Sequence, residues 1–295
     1  MSATPEPAQS SSPNRLAIIG ATGLVGSELM RLQDFNTHPV TVVGRSSNKL
    51  KSAFPHAAQH LTWEEFQQSD AGEFDAVVNL AGSNVSDRRW DDAYKKVMID
   101  SRIMATQMCV EKCAGNPAIH LINASAVSAY GFYTEQGPRF TENDRDKRSG
   151  PAFLQDLIDE WESAALKAED YGSKVALLRT GVVFDLEDGA FPSLMKPFRM
   201  FMGGKIGTGR QMLSWISTKD AARAIAFLLD NREITGPVNL TSPGAVSNRA
   251  MANLLGKALG KPSLVPTPAF VIRAAMGQMG DELIVKGQHV YPEKL

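Results

Sequence analysis

Cysteine is nearly absent from this chain: two residues among 295, Cys109 and Cys113. They stand one helical turn apart on an amphipathic segment, which suits packed thiols better than a disulfide. That excludes a disulfide-stapled secreted domain and fits a reducing, cytosolic compartment. Histidine is scarce too. The five (His38, His56, His60, His120, His289) show no ligand spacing among themselves or with the cysteines, so no metal is expected. Neither sign of charge is in excess, with 31 Lys and Arg against 32 Asp and Glu. No basic stripe is interleaved with aromatics, so neither nucleic acid nor an anionic membrane is an expected partner. No apolar run is long and clean enough to cross a bilayer. Residues 1–14 are rich in Ser, Pro and Ala. They lack the layout of a secretory signal and the arginines of a transit peptide, and are expected to form a disordered tail. What is present is ordinary globular composition, 43% hydrophobic and 21% charged, enough for one large or two modest domains.

Against that background one segment stands out. The apolar run Leu16-Ala-Ile-Ile19 leads directly into Gly20-Ala21-Thr22-Gly23-Leu24-Val25-Gly26, and a helical pattern follows to Arg31-Leu32. Strand, glycine turn and helix in that order form a device for holding a dinucleotide pyrophosphate. Gly20 turns the chain sharply, Gly23 leaves room for a phosphate, and Gly26 lets the helix lie close to the sheet. The N–H groups and positive end of the helix then face the phosphates.

The next strand, Val40 to Val43, shows which nucleotide is expected. An NAD site places an acid at its end, on the ribose hydroxyls. Here Arg45 stands there, with Ser46, Ser47 and Lys49 and no acid. A guanidinium suits a 2′-phosphate through charge-assisted bonds, so NADP(H) is the expected cofactor. The competing account is a solvated loop arginine.

Further along, strand-like runs alternate with helical ones: a strand near His60-Leu-Thr62-Trp63, strands at Phe74 to Leu80 and Ala118 to Ala124, and helices at Trp90 to Cys113 and Ala152 to Asp170. A Gly/Pro/charge-rich loop is expected over Gly131 to Gly150, and a strand over Lys174 to Arg179. The pattern is that of an α/β, doubly wound, mostly parallel Rossmann sheet over residues 15–184. A helix is expected over Gly189 to Met202, a loop over Gly203 to Gly209, a strand at Ser214 to Ile216, and a helix capped by Thr218. Pro237 to Leu240 is expected to return to the main sheet, giving a return segment at about 214–241. Residues 185–213 and 242–295 are expected to form a smaller C-terminal α/β substrate-type domain.

The chain resembles the extended short-chain dehydrogenases/reductases, in the NAD-dependent epimerase/dehydratase-like branch. Within that branch it is similar to the atypical, NADP-binding "epimerase family protein" group. The residues that carry the likeness are Gly20 to Gly26, Val78-Asn-Leu80-Ala81-Gly82, Arg89-Trp90, Ser101-Arg102, Ser125-Ala-Val127 and Tyr130-Gly131. They continue with Trp161-Glu162, Arg179 to Val183, Pro197-Phe198, Gly203-Gly204, Gly207, Ser214 to Ile216, Asp220, and Gly287-Gln288 with Val290. The group continues past this last motif with another short helical stretch, so an end at Leu295 suggests truncation. The resemblance implies that Gly20, Ala21, Thr22, Gly23, Leu24, Val25 and Gly26 hold the pyrophosphate and Arg45 the 2′-phosphate. It also implies that Thr62 and Trp63 lie near the adenine, and Leu80, Ala81 and Gly82 near its ribose and the phosphates. Ser125, Val182 and Val183 would face the nicotinamide. Many relatives form homodimers through two long helices, here Trp90 to Cys113 and Ala152 to Asp170.

The expected chemistry is interrupted. Enzymes of this superfamily transfer a proton through a Tyr and a Lys one helical turn apart. No Tyr-x-x-x-Lys exists in this sequence, and the corresponding positions are Leu154 and Ile158. Ser125 is retained, and Tyr130 or Tyr133 could supply a phenol from the following loop; packing is the competing account of both. Glu135 and Glu142 are expected to be solvated loop charges, Asp156 an exposed helical residue, and Arg179 a structural residue tied to an acid or backbone. Three functions stay open. One is an NADP(H)-dependent epimerase or oxidoreductase acting on a small carbonyl, sugar or nucleotide-linked substrate. Another is a non-catalytic NADP(H)-binding redox sensor or regulator. A structural assembly factor is a third.

Overall fold

The computed structural model describes residues 15–33, 38–144 and 151–295; the expected tail, 1–14, and the end of the expected loop, 145–150, lie outside them. The first half alternates strictly. The order is β1 (Leu16–Ile19), α1 (Leu24–Arg31), β2 (Val40–Gly44), α2 (Ser47–Ala53), β3 (Gln59–Thr62), α3 (Trp63–Gln68), β4 (Ala76–Asn79), α4 (Asp92–Gly115) and β5 (His120–Ala126). A short β6 (Arg139–Phe140) precedes α5 (Phe153–Leu166) and β7 (Lys174–Thr180). The later elements are β8 (Val182–Phe184), α6 (Ala190–Arg199), β9 (Met212–Leu213), β10 (Trp215–Ser217), α7 (Thr218–Asp230) and β11 (Gly236–Leu240). They end with β12 (Val246–Ser247), α8 (Asn248–Leu259), α9 (Ala269–Met276) and β13 (His289–Val290).

Seven strands form one parallel sheet in the order β3-β2-β1-β4-β5-β7-β11. Near-continuous Val, Ile, Leu and Ala in β1, β4 and β7 is what a strand covered on both faces requires. One face packs Ile18, Val42, Val78 and Leu178 against α1 and α7. The other packs Ile19, Val77, Leu121 and Leu177 with Cys109 and Cys113 of α4 and Phe66 of α3. Both cysteines are free and buried, and burial raises the pKa of each thiol, that of Cys113 to about 11. The strand order reverses between β1 and β4, which opens a crevice at their carboxyl ends.

The second half departs from the expected pattern in detail. Pro237 to Leu240 does return to the sheet, as edge strand β11 beside β7. The strand at Ser214 to Ile216 is instead β10, paired with β8 outside the main sheet. The cap of α7 is Ser217, whose Oγ accepts from Asp220 N; the Thr218 hydroxyl bonds the Phe184 carbonyl and Asp185. Glu142 is not solvated. It is 7% exposed and accepts backbone N–H bonds from Asn239, Glu293 and Lys294, joining the last residues to β11. Glu135 does remain at the surface, paired with Arg210 at 2.8 Å.

His120 begins β5 fully buried, with neither ring nitrogen partnered. Burial, aided by Arg232 and Lys174, pushes its pKa down to about 4. The folded value lies below the unfolded one, near 6.5. The stabilising contribution is therefore complete above pH 6.5 and lost as pH falls toward 4, about 2.5 kcal/mol of it by pH 4.5. Urea unfolding of wild type and His120→Leu at pH 7 and 4.5 checks this. The acid-induced loss is expected to shrink by roughly that amount in the variant, and equal losses would contradict it.

Candidate functional site

The crevice is built on Gly20. Its φ of +80° turns the chain out of β1, and a Cβ there would lie 2.8 Å from the Leu80 carbonyl carbon. Only glycine lets the β1 turn and the β4 turn touch. A Cβ at Gly26 would collide with the Gly20 carbonyl, whereas at Gly23 it would meet only that oxygen, at 3.3 Å. Gly26 is thus required by helix–strand packing, and Gly23 lies on the side open to a ligand. Helix α1 has no side-chain cap and no acid in its first turn, so among the described residues no side chain competes for its N-terminal N–H groups. The β4 turn is shaped from beneath. Asn79 Oδ1 accepts from Ala81 N, and Asn79 Nδ2 donates to Thr106 Oγ1 and Asn123 Oδ1, the Asn79, Thr106 and Asn123 side chains all buried.

The expected site residues collect along this edge. Gly20 to Gly26, Leu80 to Gly82 and Ser125 follow or end β1, β4 and β5, and Val182 and Val183 lie in β8 just past β7. Arg45 follows β2, exposed, with no hydrogen bond or ion pair among the described residues. Its neighbours are engaged: Ser46 caps α2, and Ser47 Oγ donates to the His60 carbonyl. Thr62 caps α3 through a capping box with Glu65, and Trp63 opens that helix beside the end of β2.

Tyr130 does not join them. It is 1% exposed, stacked on Phe140, and its hydroxyl donates to Asn239 Oδ1 of β11. Burial raises its pKa further. Closure of the C-terminal segment over β6 draws the ring into the core, and nothing in the local sequence signals that. Leu154 and Ile158 are buried in apolar clusters with Phe132 and with Met98 and Trp161. The backbone N–H groups of Phe153 and Leu154 donate to the Glu282 carboxylate, so the C-terminal segment caps α5.

Two guanidiniums, Arg179 and Arg102, are buried beside the crevice. Arg179 has the acid partner expected of it: Nε and Nη2 donate to the two oxygens of Glu162 at 2.9 and 2.8 Å. Burial opposes its charge, but the bonds and attraction of Glu162 prevail and raise its pKa. The same carboxylate accepts the Ser125 hydroxyl at 2.5 Å, and Ser125 and Arg179 are register neighbours on β5 and β7. Arg102 is the opposite case. It is 9% exposed under Gly82, its Nε has no partner, and burial pushes its pKa down to about 10. A Cβ at Gly82 would stand 3.0 Å from the guanidinium carbon. Its Nη1 donates to the Met98 carbonyl and the guanidinium lies over the Trp161 ring, and among the described residues it forms no ion pair with a carboxylate. The fold thus brings a glycine turn, a helix start without a side-chain cap and a buried cation to one edge of the sheet.

Comparison with known proteins is consistent with this geometry. The family model "NAD dependent epimerase/dehydratase family" matches residues 16–240. The chain belongs to this family. A second model, "Domain of unknown function (DUF1731)", matches residues 267–295. An epimerase family protein of Mycobacterium leprae, ML0860, is 36% identical over 98% of this chain and 91% of its own length. A chloroplastic SDR39U1 homologue of Arabidopsis thaliana is 35% identical over 96% of this chain and 82% of its own. Among solved structures, human SDR39U1 (isoform 2) with NADPH superposes with a TM-score of 0.81 at 29% identity, covering 94% of this chain and 91% of that one. Among the described residues no helix is long and apolar enough to cross a membrane.

Proposed function

We propose that the protein binds NADP(H) in the crevice and uses it on a small carbonyl, sugar or nucleotide-linked ligand, without the superfamily's Tyr-Lys relay. The observation that carries this reading is a pair of cations without protein anions: Arg45 beyond β2, for the 2′-phosphate, and Arg102 beneath Gly82, for the pyrophosphate side. The NADPH in the human relative's structure supports the choice of nucleotide. The two reduced, buried thiols support a cytosolic setting.

When bound, the nicotinamide supplies or takes a hydride. Ser125 donates its hydroxyl proton to Glu162, which leaves its lone pairs to accept from a ligand hydroxyl. In the oxidising direction the ligand's O–H proton passes to Ser125 Oγ as the serine's own proton moves to Glu162. Arg179 already occupies both carboxylate oxygens of Glu162 and competes with that proton, so turnover is expected to be slow. A second reading, a regulator that binds NADP(H) without turnover, is favoured by the apolar burial of Leu154 and Ile158.

Exchange of deuteride from labelled NADPH into a panel of aldehydes, ketones and nucleotide sugars separates the two. The enzyme reading expects exchange with at least one of them, reduced at least tenfold by Ser125→Ala while NADPH affinity changes less than about threefold. No exchange across the panel, with NADPH firmly bound, overturns it in favour of the regulator.

A further inference from the structure

Charge is segregated along this chain. Residues 189–213 and 242–280, which carry α6, α8 and α9, contain eight Lys and Arg and no acid. All 32 acids lie elsewhere, so a net charge near zero conceals a basic part joined to an acidic one. Two of the eight cations pair with acids from other segments, Arg210 with Glu135 and Arg273 with Asp281. Lys196, Arg199, Lys257 and Lys261 form no ion pair among the described residues. The first two stand in the last turn of α6, Lys257 in the last turn of α8, and Lys261 just beyond it.

These two helix ends come together. Helices α6 and α8 bury Met195, Phe198, Ala252 and Leu255 in one cluster, and beyond their ends Val265 N donates to the Gly203 carbonyl. The chain leaving both helices is apolar and turned outward. Met200, Phe201 and Met202 are exposed, and so are Leu264, at 83%, and Val265. Phe201 is the only non-glycine residue with a positive φ among the described residues, at +61°. That conformation strains a bulky side chain, and burial does not offset it. The ring is 57% exposed, with the Lys261 ammonium 3.8 Å from its centroid. Cations at helix C-termini answer the macrodipole. The apolar side chains beside them have no such account, and contiguous exposed apolar surface marks an interaction site.

An aromatic and aliphatic tip flanked by unpaired cations matches the boundary layer of a bilayer that carries anionic lipid, where apolar burial and charge attraction act together. We propose that this tip docks the protein peripherally on an anionic membrane surface. Met200, Phe201, Met202 and Leu264 enter the headgroup boundary, and the four cations meet the lipid phosphates and carboxylates. Nucleic acid fits less well, because all but one of these apolar side chains are aliphatic and give a base nothing to stack on. A two-fold contact with a second copy sets the four cations against their own kind. The proposal is independent of the cofactor reading, and it revises the expectation drawn from net charge alone.

Vesicle flotation with the full chain tests this, comparing pure phosphatidylcholine with a mixture holding about one-third phosphatidylserine. Binding to the mixed vesicles is expected to be at least tenfold tighter than to the neutral ones, and to fall at high salt. Lys257→Gln/Lys261→Gln is expected to weaken it at least tenfold, since each cation near an anionic surface contributes roughly fivefold. Phe201→Gly is expected to weaken it at least threefold with the midpoint of thermal unfolding held or raised, because glycine accepts the positive φ. No binding to the mixed vesicles, equal binding to both kinds, or binding that both variants leave intact overturns the proposal. Retention of single-stranded RNA, or self-association, that the variants abolish while vesicles stay unbound assigns the surface to those partners and equally overturns it.

Discussion

Glu162→Ala is expected to lower the unfolding free energy by about 3–5 kcal/mol, the usual cost of stripping the partner from a buried ion pair. The carboxylate accepts both arms of the Arg179 fork and the Ser125 hydroxyl, and Arg179 is itself 8% exposed over the Tyr130 ring. Removing it leaves a guanidinium that cannot discharge, in a place where little of it reaches solvent. Replacing both partners with apolar groups, as in Glu162→Leu/Arg179→Met, is expected to recover most of the loss, since the pair's net worth is far below the cost of breaking it. Denaturant unfolding measures all three proteins. A loss below 1 kcal/mol for the single variant would show that the pair is solvated and that Ser125 is not held through it.

Arg45→Glu carries the largest expected effect on binding. A charge-assisted, bidentate contact to phosphate contributes about 1.5–3 kcal/mol, and a carboxylate in its place adds repulsion. NADPH affinity is expected to fall by roughly 30- to 100-fold. NADH lacks the 2′-phosphate, and the carboxylate can accept from its ribose hydroxyls, so its affinity is expected to hold or rise. Calorimetry with both nucleotides reads the change. Equal loss of both, or no loss of either, would remove Arg45 from the site.

The parts of this arrangement legible in the sequence are those set by local rules. Gly20, Gly23 and Gly26 follow an apolar strand and open a helix, and the structure gives Gly20 and Gly26 the contacts that require glycine. The alternation of strands and helices up to β7 is visible because the central strands β1, β2, β4, β5 and β7 are buried on both faces and the helices on one. What was illegible depends on long-range closure. Glu142 reads as a loop charge until residues 291–295 return to it. Tyr130 reads as a phenol near the mouth until Asn239, 109 residues later, takes its hydroxyl. Thr218 and Ser217 are equally good caps by residue type, and the contact of Thr218 with Asp185 decides between them. Arg102 is visible in sequence only as half of Ser101-Arg102; what sets it apart is burial under Gly82 with no ion pair to an acid among the described residues.

On the proposed reading, a glycine cradle and two arginines without a carboxylate partner among the described residues, Arg45 and Arg102, hold a phosphorylated dinucleotide. The most direct measurement is parallel titration of the wild-type chain with NADPH and NADH at matched ionic strength. Saturable one-to-one NADPH binding at least tenfold tighter than NADH is the expected result. No binding of either nucleotide, or equal affinity for both, would contradict it.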